Sequence, residues 1–251
     1  MKREFAGTCP KESREHDSNE DQNAFSEDGA RFALCDGASE SYNSRLWAKV
    51  LAEKFAANPA FGPEWLAEAL REYVAEHDFE VMTWSQHAGF DRGSFSTLLG
   101  VEFDSKHRTV DALAIGDCVA VLVDGERFVE AWPFSDPERF KEHPTLLATK
   151  SEHNAFVSEL GFWTHSVKTF HLGALEAPRL VCMTDALAEW TLRGVRDGEP
   201  TLSRLLSLTT EAELAELVLE ARAAKRMRVD DSTLIVVSFP TPSRTNVLPV
   251  A

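Results

Sequence analysis

RFALCDG, residues 31–37, places the apolar run Phe32–Cys35 directly before a carboxylate, Asp36, and a residue without a side chain, Gly37. A continuous apolar run closed by a turn signal reads as a strand buried on both faces, so Asp36 stands at the C-terminal mouth of a core strand. The same grammar recurs along the chain. RLVCMTD (179–185) brings Asp185 to the end of another apolar run, ALAIGD (112–117) does so for Asp117, and DDSTLIVV (230–237) sets Asp230 and Asp231 just before one. A single aspartate after a strand is an ordinary turn residue. Four such positions together have a different physical reading: rigid strand ends can converge hard oxygen ligands on Mg²⁺ or Mn²⁺, and the cation offsets the repulsion of the gathered carboxylates.

Outward from these runs, further strand-type stretches cover Ser96–Phe103, Arg108–Ile115, Val119–Val123 and Thr233–Phe239. Helical spacing of apolar residues predicts helices over Ser44–Ala57, Glu64 to about Ser85, and Glu211 to about Arg226. Trp47, Phe55, Trp65 and Tyr73 fall on the buried faces of the first two and read as core aromatics. The links around Gly116-Asp117 are too short for anything but antiparallel pairing. The order is neither strictly alternating nor all-β, which makes the class α+β: packed sheets with helices outside. Residues 133–172 are rich in Pro, His, Glu and Ser with weak periodicity, and read as a flap-like insertion. Residues 240–251, PTPSRTNVLPVA, read as a flexible tail.

With 251 residues, 43% hydrophobic and 27% charged, one domain over residues 1–239 is the expectation. A formal net charge of −15 repels phosphate backbones and argues against nucleic acid as a partner. Cys9, Cys35, Cys118 and Cys182 form no C-x-x-C pair, which points to free thiols and away from a zinc cluster or disulfide framework. The start, MKREFAGTCPKESREHD, lacks an apolar signal core, and no run is long enough to span a bilayer, so a cytoplasmic protein with no membrane partner is expected. The basic run Lys225-Arg226-Met227-Arg228 reads as a solvated helix end.

Read in order, Asn19-Glu20-Asp21-Gln22, Asp36-Gly37, Gly93-Ser94-Phe95-Ser96-Thr97, Gly116-Asp117-Cys118, Thr184-Asp185-Ala186 and Asp230-Asp231-Ser232-Thr233 resemble the signature blocks of the type 2C (PPM) metal-dependent serine/threonine protein phosphatases, in a divergent bacterial-type form. The resemblance implies a four-layer α-β-β-α sandwich of two mainly antiparallel sheets, with two Mg²⁺ or Mn²⁺ ions in a cleft at one end. It implies that Asp36 bridges both ions, that the Gly37 carbonyl and Glu20 hold the second, and that Asp185 and Asp230 hold the first. Asp21 then orients a metal-bound water, and Asp117 resembles the acid tied to a third, weakly held ion. The implied reaction is hydrolysis of phosphoserine or phosphothreonine in proteins by attack of a metal-bridging hydroxide. The implied partner is a phosphorylated protein, with the chain opposing a serine/threonine kinase.

The sequence departs from the family pattern at identifiable places. Ala38, Ser39, Glu40 and Ser41 replace the usual small glycines after Asp-Gly, and Ala186 replaces another. Ala38 also stands where some members carry a histidine able to protonate the leaving group. The family's phosphate-binding arginine, five residues before the aspartate of the Glu-Asp pair, is His16 here, with Arg14 two residues earlier. Either can be the phosphate contact, Arg14 only if the first strand shifts register. Two further readings stay open: a catalytically weak member that binds a phosphoprotein or regulates a kinase, and a hydrolase of small phosphorylated metabolites.

Overall fold

The computed structural model describes residues 1–12 and 18–241. Numbered along the chain, β1 (Lys2–Cys9), β7 (Val119–Asp124), β8 (Arg127–Trp132), β11 (Pro178–Met183) and β12 (Ser232–Ser238) form one five-stranded sheet in the order β1-β12-β11-β7-β8. A second sheet has the order β10-β6-β5-β3-β2, from β2 (Gln22–Phe25), β3 (Arg31–Cys35), β5 (Leu98–Asp104), β6 (Thr109–Ile115) and β10 (Val167–His171). Every neighbouring pair in both sheets is antiparallel.

Strand alternation builds three apolar layers from these runs. Phe32 and Leu34 of β3, Leu180 and Cys182 of β11, and Ile235 and Val237 of β12 meet between the sheets. The intervening residues turn outward. Ala33 and Cys35 face α1 (Ser44–Ala57) and α2 (Pro63–Ala75), with Trp47, Leu51, Phe55, Trp65 and Tyr73 in that layer. Val181, Met183, Leu234 and Val236 face α5 (Asp185–Asp197), α6 (Thr201–Leu206) and α7 (Glu211–Ala223). The result is the α-β-β-α sandwich expected from the sequence, and the continuous apolar runs are explained by burial on both strand faces.

Two helices are shorter than their periodicity predicts. α2 stops at Ala75, where Asp78 turns the chain by accepting the Glu80 N–H at 3.0 Å, and Thr83 with Gln86 forms a capping box that starts α3 (Trp84–Arg92). α7 ends at Ala223, and Lys225 leaves the helix with φ +55°. Within residues 133–172, a 3-10 turn at Ser151–Ser158, the short α4 (Phe162–Ser166) and β9 (Leu147–Ala148) lie over α1 and α2, β9 pairing with β4 (Phe95–Ser96). The Trp47 Nε1–H donates to the Leu147 carbonyl at 2.8 Å and ties this stretch to α1. Residues 167–171, by contrast, are β10 and pair with β6.

Register decides where the acidic residues go. Met183 pairs with both Leu234 and Val119, and Cys9 pairs with Ser232. The end of β11 and the starts of β7 and β12 therefore share one end of the first sheet. In the second sheet Cys35 pairs with Gln22, so Asp36 and Asp21 sit side by side just beyond that pair.

Candidate active site

The two sheet ends open on one cleft of about 320 Å³, bordered by Asp36, Gly37, Asp117, Asp185, Arg228 and Asp230, with Lys141–Pro144 as the opposite wall. Five of the positions singled out in the sequence are thus brought together. Glu20 and Asp21 stand beside them on the segment entering β2. Arg14 and His16 lie outside the described residues, and the extended strand on which their register was argued, β1, ends at Cys9.

Asp36 is held by its backbone. Its N–H donates to Thr97 Oγ1 at 2.8 Å, and its carbonyl accepts from the Thr97 N–H at 2.9 Å and Ser96 Oγ at 2.9 Å. The GSFST block therefore serves as scaffolding for this aspartate. Burial pushes the Asp36 carboxyl well above the usual range, and the charges of Asp21, Asp117, Asp230 and Asp231 push it the same way. Gly37 is required by close approach: a Cβ there would lie 2.9 Å from the Ser44 backbone and 3.1 Å from the Glu20 carbonyl oxygen.

Asp21 is buried, with its N–H donating to Asn19 Oδ1 at 2.9 Å. Its Oδ2 accepts from Thr184 Oγ1 at 3.0 Å and Thr233 Oγ1 at 2.7 Å, whereas Oδ1 is buried without a hydrogen-bond partner. Burial raises its pKa from 3.8 to about 7, with Asp231 and Asp230 adding to the rise against the two threonine hydrogen bonds. Asp117 is also raised by burial, and the positive charge of Arg228 opposes that effect.

Among the described residues, two cations already engage the acids. Lys11 Nζ lies 2.7 Å from Glu20 Oε2, while Ser44 Oγ donates to Glu20 Oε1 at 2.6 Å. The Arg228 guanidinium forms an ion pair with Asp185 Oδ2, and Asp185 Oδ1 accepts the Ala186 N–H at the start of α5. Among the described residues no three His, Cys, Asp or Glu side chains form a ready-made metal cage. The donor set nonetheless fits a divalent cation. It consists of hard oxygens, Asp21 beside it keeps a buried carboxylate oxygen with no partner, and at Asp36 it gathers like charges that a bound cation would relieve.

Two residues have roles that the sequence did not assign to them. Asp231 is buried and accepts the backbone N–H groups of Lys11 at 2.7 Å and Glu20 at 2.8 Å, which fixes Glu20 against the loop before β12. Its adjacency to Asp230 was the available signal. Arg228, read as part of a solvated helix end, borders the cleft instead; its place two residues before Asp230 was the clue. All four cysteines are free and buried, and burial raises the thiol pKa of each. No helix among the described residues is long and apolar enough to cross a membrane.

No protein-family model matches the chain, and no curated protein matches it by sequence. Solved structures do match. A bacterial serine phosphatase superposes with a TM-score of 0.56 at 16% identity, covering 95% of this chain and 98% of that one. The Mycobacterium tuberculosis serine/threonine phosphatase PstP/Ppp gives 0.56 at 18% identity over 94% and 97%. The Staphylococcus aureus serine/threonine phosphatase Stp1 gives 0.53 at 16% over 96% of each. At these identities the likeness is one of architecture, and it spans nearly the whole length of every partner: the chain has the fold of the bacterial PPM serine/threonine phosphatases.

Proposed function

We propose that the chain is a metal-dependent phosphatase acting on phosphoserine or phosphothreonine in a protein partner, through a single domain over residues 1–239. The observation that carries this reading is Asp36, a carboxylate at the end of a core strand, crowded by Asp21, Asp117, Asp230 and Asp231 at the edge of an open cleft. Such crowding disfavours the ionised carboxylates, and a bound cation would relieve it. Glu20, Asp36, the Gly37 carbonyl, Asp185 and Asp230 would hold two divalent ions, Mg²⁺ or Mn²⁺, with Asp117 available to a third. When bound, these ions would acidify water to a nucleophile at neutral pH and shield the phosphate charge.

The chain's own residues do the rest. Thr97 and Ser96 hold the backbone of Asp36, so its carboxylate is presented without loop motion. Asp21, with one oxygen fixed by Thr184 and Thr233 and the other buried without a partner, would orient an attacking water. Ala38 supplies no acid, and water can protonate the leaving oxygen in its place. Within the described cleft wall no cysteine is exposed for covalent phosphoryl transfer.

A second reading, a catalytically weak relative that binds a phosphoprotein or regulates a kinase, is favoured by the ion pairs already formed on Glu20 and Asp185. Hydrolysis of an aryl phosphate by the purified chain, with Mn²⁺ or Mg²⁺ and with chelator, separates the two. Turnover that appears with metal and vanishes with chelator supports the phosphatase reading. Absence of turnover across metals and pH supports the second.

A further inference from the structure

We infer that Arg228 is a tethered cation of the first-metal position: its guanidinium holds Asp185 in the metal-free chain, and a divalent ion binds there only by displacing it. The inference rests on the metal-dependent reading above and adds a competitor built into the chain.

The loop that carries Arg228 is fixed at both sides. Met227 is buried in the layer beneath α5 and α7. Arg222 donates to the Pro10 carbonyl at 3.0 Å, to Ser232 Oγ at 3.2 Å and to the Asp230 carbonyl. Between these anchors Arg228 points across the cleft at Asp185. The pair is partly desolvated, with 35% of the arginine side chain and 15% of the aspartate side chain exposed, so its attraction is less screened than that of a surface pair.

Arg228 engages the Asp185 oxygen that has no backbone partner. Asp185 Oδ1 is committed to the Ala186 N–H, which leaves Oδ2 to face the cleft, and Arg228 Nη2 rests on Oδ2. A dication on that oxygen would sit against a guanidinium, and like charges in a partly desolvated cleft cannot share one carboxylate oxygen. Arginine cannot escape by losing its proton. It must move, and its partial exposure gives it the cleft mouth to move into. Among the described residues, Lys11 on Glu20 is the other cation set against a proposed ligand. Lys141 is paired with Glu138, and Arg222 is spent on backbone carbonyls.

The test is calorimetric titration of the full chain with Mn²⁺, comparing wild type with Arg228→Ala, Arg228→Gln and Arg228→Lys. Arg226→Ala, which removes a nearby charge paired with Glu199 and Glu220, corrects for long-range electrostatics. Loss of the guanidinium should tighten binding of the first Mn²⁺ by about tenfold, in keeping with the loss of one partly desolvated ion pair. Arg228→Lys should stay within about threefold of wild type, since the positive charge remains. In chelator, Arg228→Ala and Arg228→Gln should melt below wild type, and Mn²⁺ should raise their midpoints more than it raises that of wild type.

Unchanged Mn²⁺ affinity in both neutral variants overturns the inference. Weaker affinity also overturns it and makes Arg228 a support that positions Asp185 for metal. Asp36→Asn identifies which level has failed. If it loses Mn²⁺ while the Arg228 variants bind like wild type, only the role of Arg228 falls. If Asp36→Asn binds Mn²⁺ as wild type does, the metal reading falls with it.

Discussion

Asp21→Asn in the metal-free chain should change stability with a sign that depends on pH. The Asp21 carboxyl is raised from 3.8 to about 7, chiefly by burial. The folded state therefore holds a proton that the unfolded state releases, and the associated stability is present below about pH 4 and lost as pH rises through 7. The full loss corresponds to roughly 4 kcal/mol above pH 7, and to about 2 kcal/mol at pH 5. The amide removes that burden but sets an N–H group where Oδ1 has no partner, at a cost of about 1–3 kcal/mol. The two effects cancel near pH 5, and the variant gains roughly 2 kcal/mol at pH 8. Urea unfolding in EDTA, followed by tryptophan fluorescence at both pH values, measures the difference. Equal shifts in stability at pH 5 and pH 8 would falsify the argument, because they would mean that Asp21 carries no unfavourable charge in the folded chain.

Asp36→Asn should fold normally yet lose Mn²⁺-dependent aryl phosphate hydrolysis by about 100-fold or more, since it removes the charge expected to be shared between two ions; wild-type turnover at saturating Mn²⁺ would contradict the assignment. Gly116→Ala should lower stability by about 2–4 kcal/mol, because Gly116 has φ +100° and a Cβ there would lie 2.6 Å from Thr97 Cγ2. A loss below about 1 kcal/mol in urea would show that the loop gives way easily. Cys35, Cys118 and Cys182, buried and with raised thiol pKa values, should react with iodoacetamide only on unfolding; fast labelling of the native chain with loss of activity would count against this.

The central strands were legible because burial on both faces leaves an unbroken apolar run: β3, β5, β6, β7, β11 and β12 each follow such a run closely. The strands without that signature are β1, β2, β8 and β10, and these are the four sheet edges. An edge strand needs less apolar surface, and KREFAGTC or VKTFH spends several positions on polar residues. The acidic positions were readable for a related reason, since a carboxylate at the end of a core strand has few places to go. Arg228 was not, because a cation near a helix end has an ordinary explanation and only the tertiary fold turns it toward Asp185. Asp231 was hidden by its neighbour: consecutive carboxylates face different ways, and which of them faces the cleft is a matter of backbone path.

The pairing of β1 with β12 has a consequence for the order in which the molecule can be made. β12 lies between β1 and β11, so among the described strands β1 finds its sheet neighbour when residues 232–238 emerge. The second sheet, drawn entirely from residues 22–171, can close well before then. Until β12 arrives, β1 and β11 present open hydrogen-bonding edges, and the closing contact spans almost the whole described chain. A nascent chain stalled ahead of residue 232 would therefore hold one finished sheet and one open sheet, the form most exposed to capture by chaperones or to aggregation.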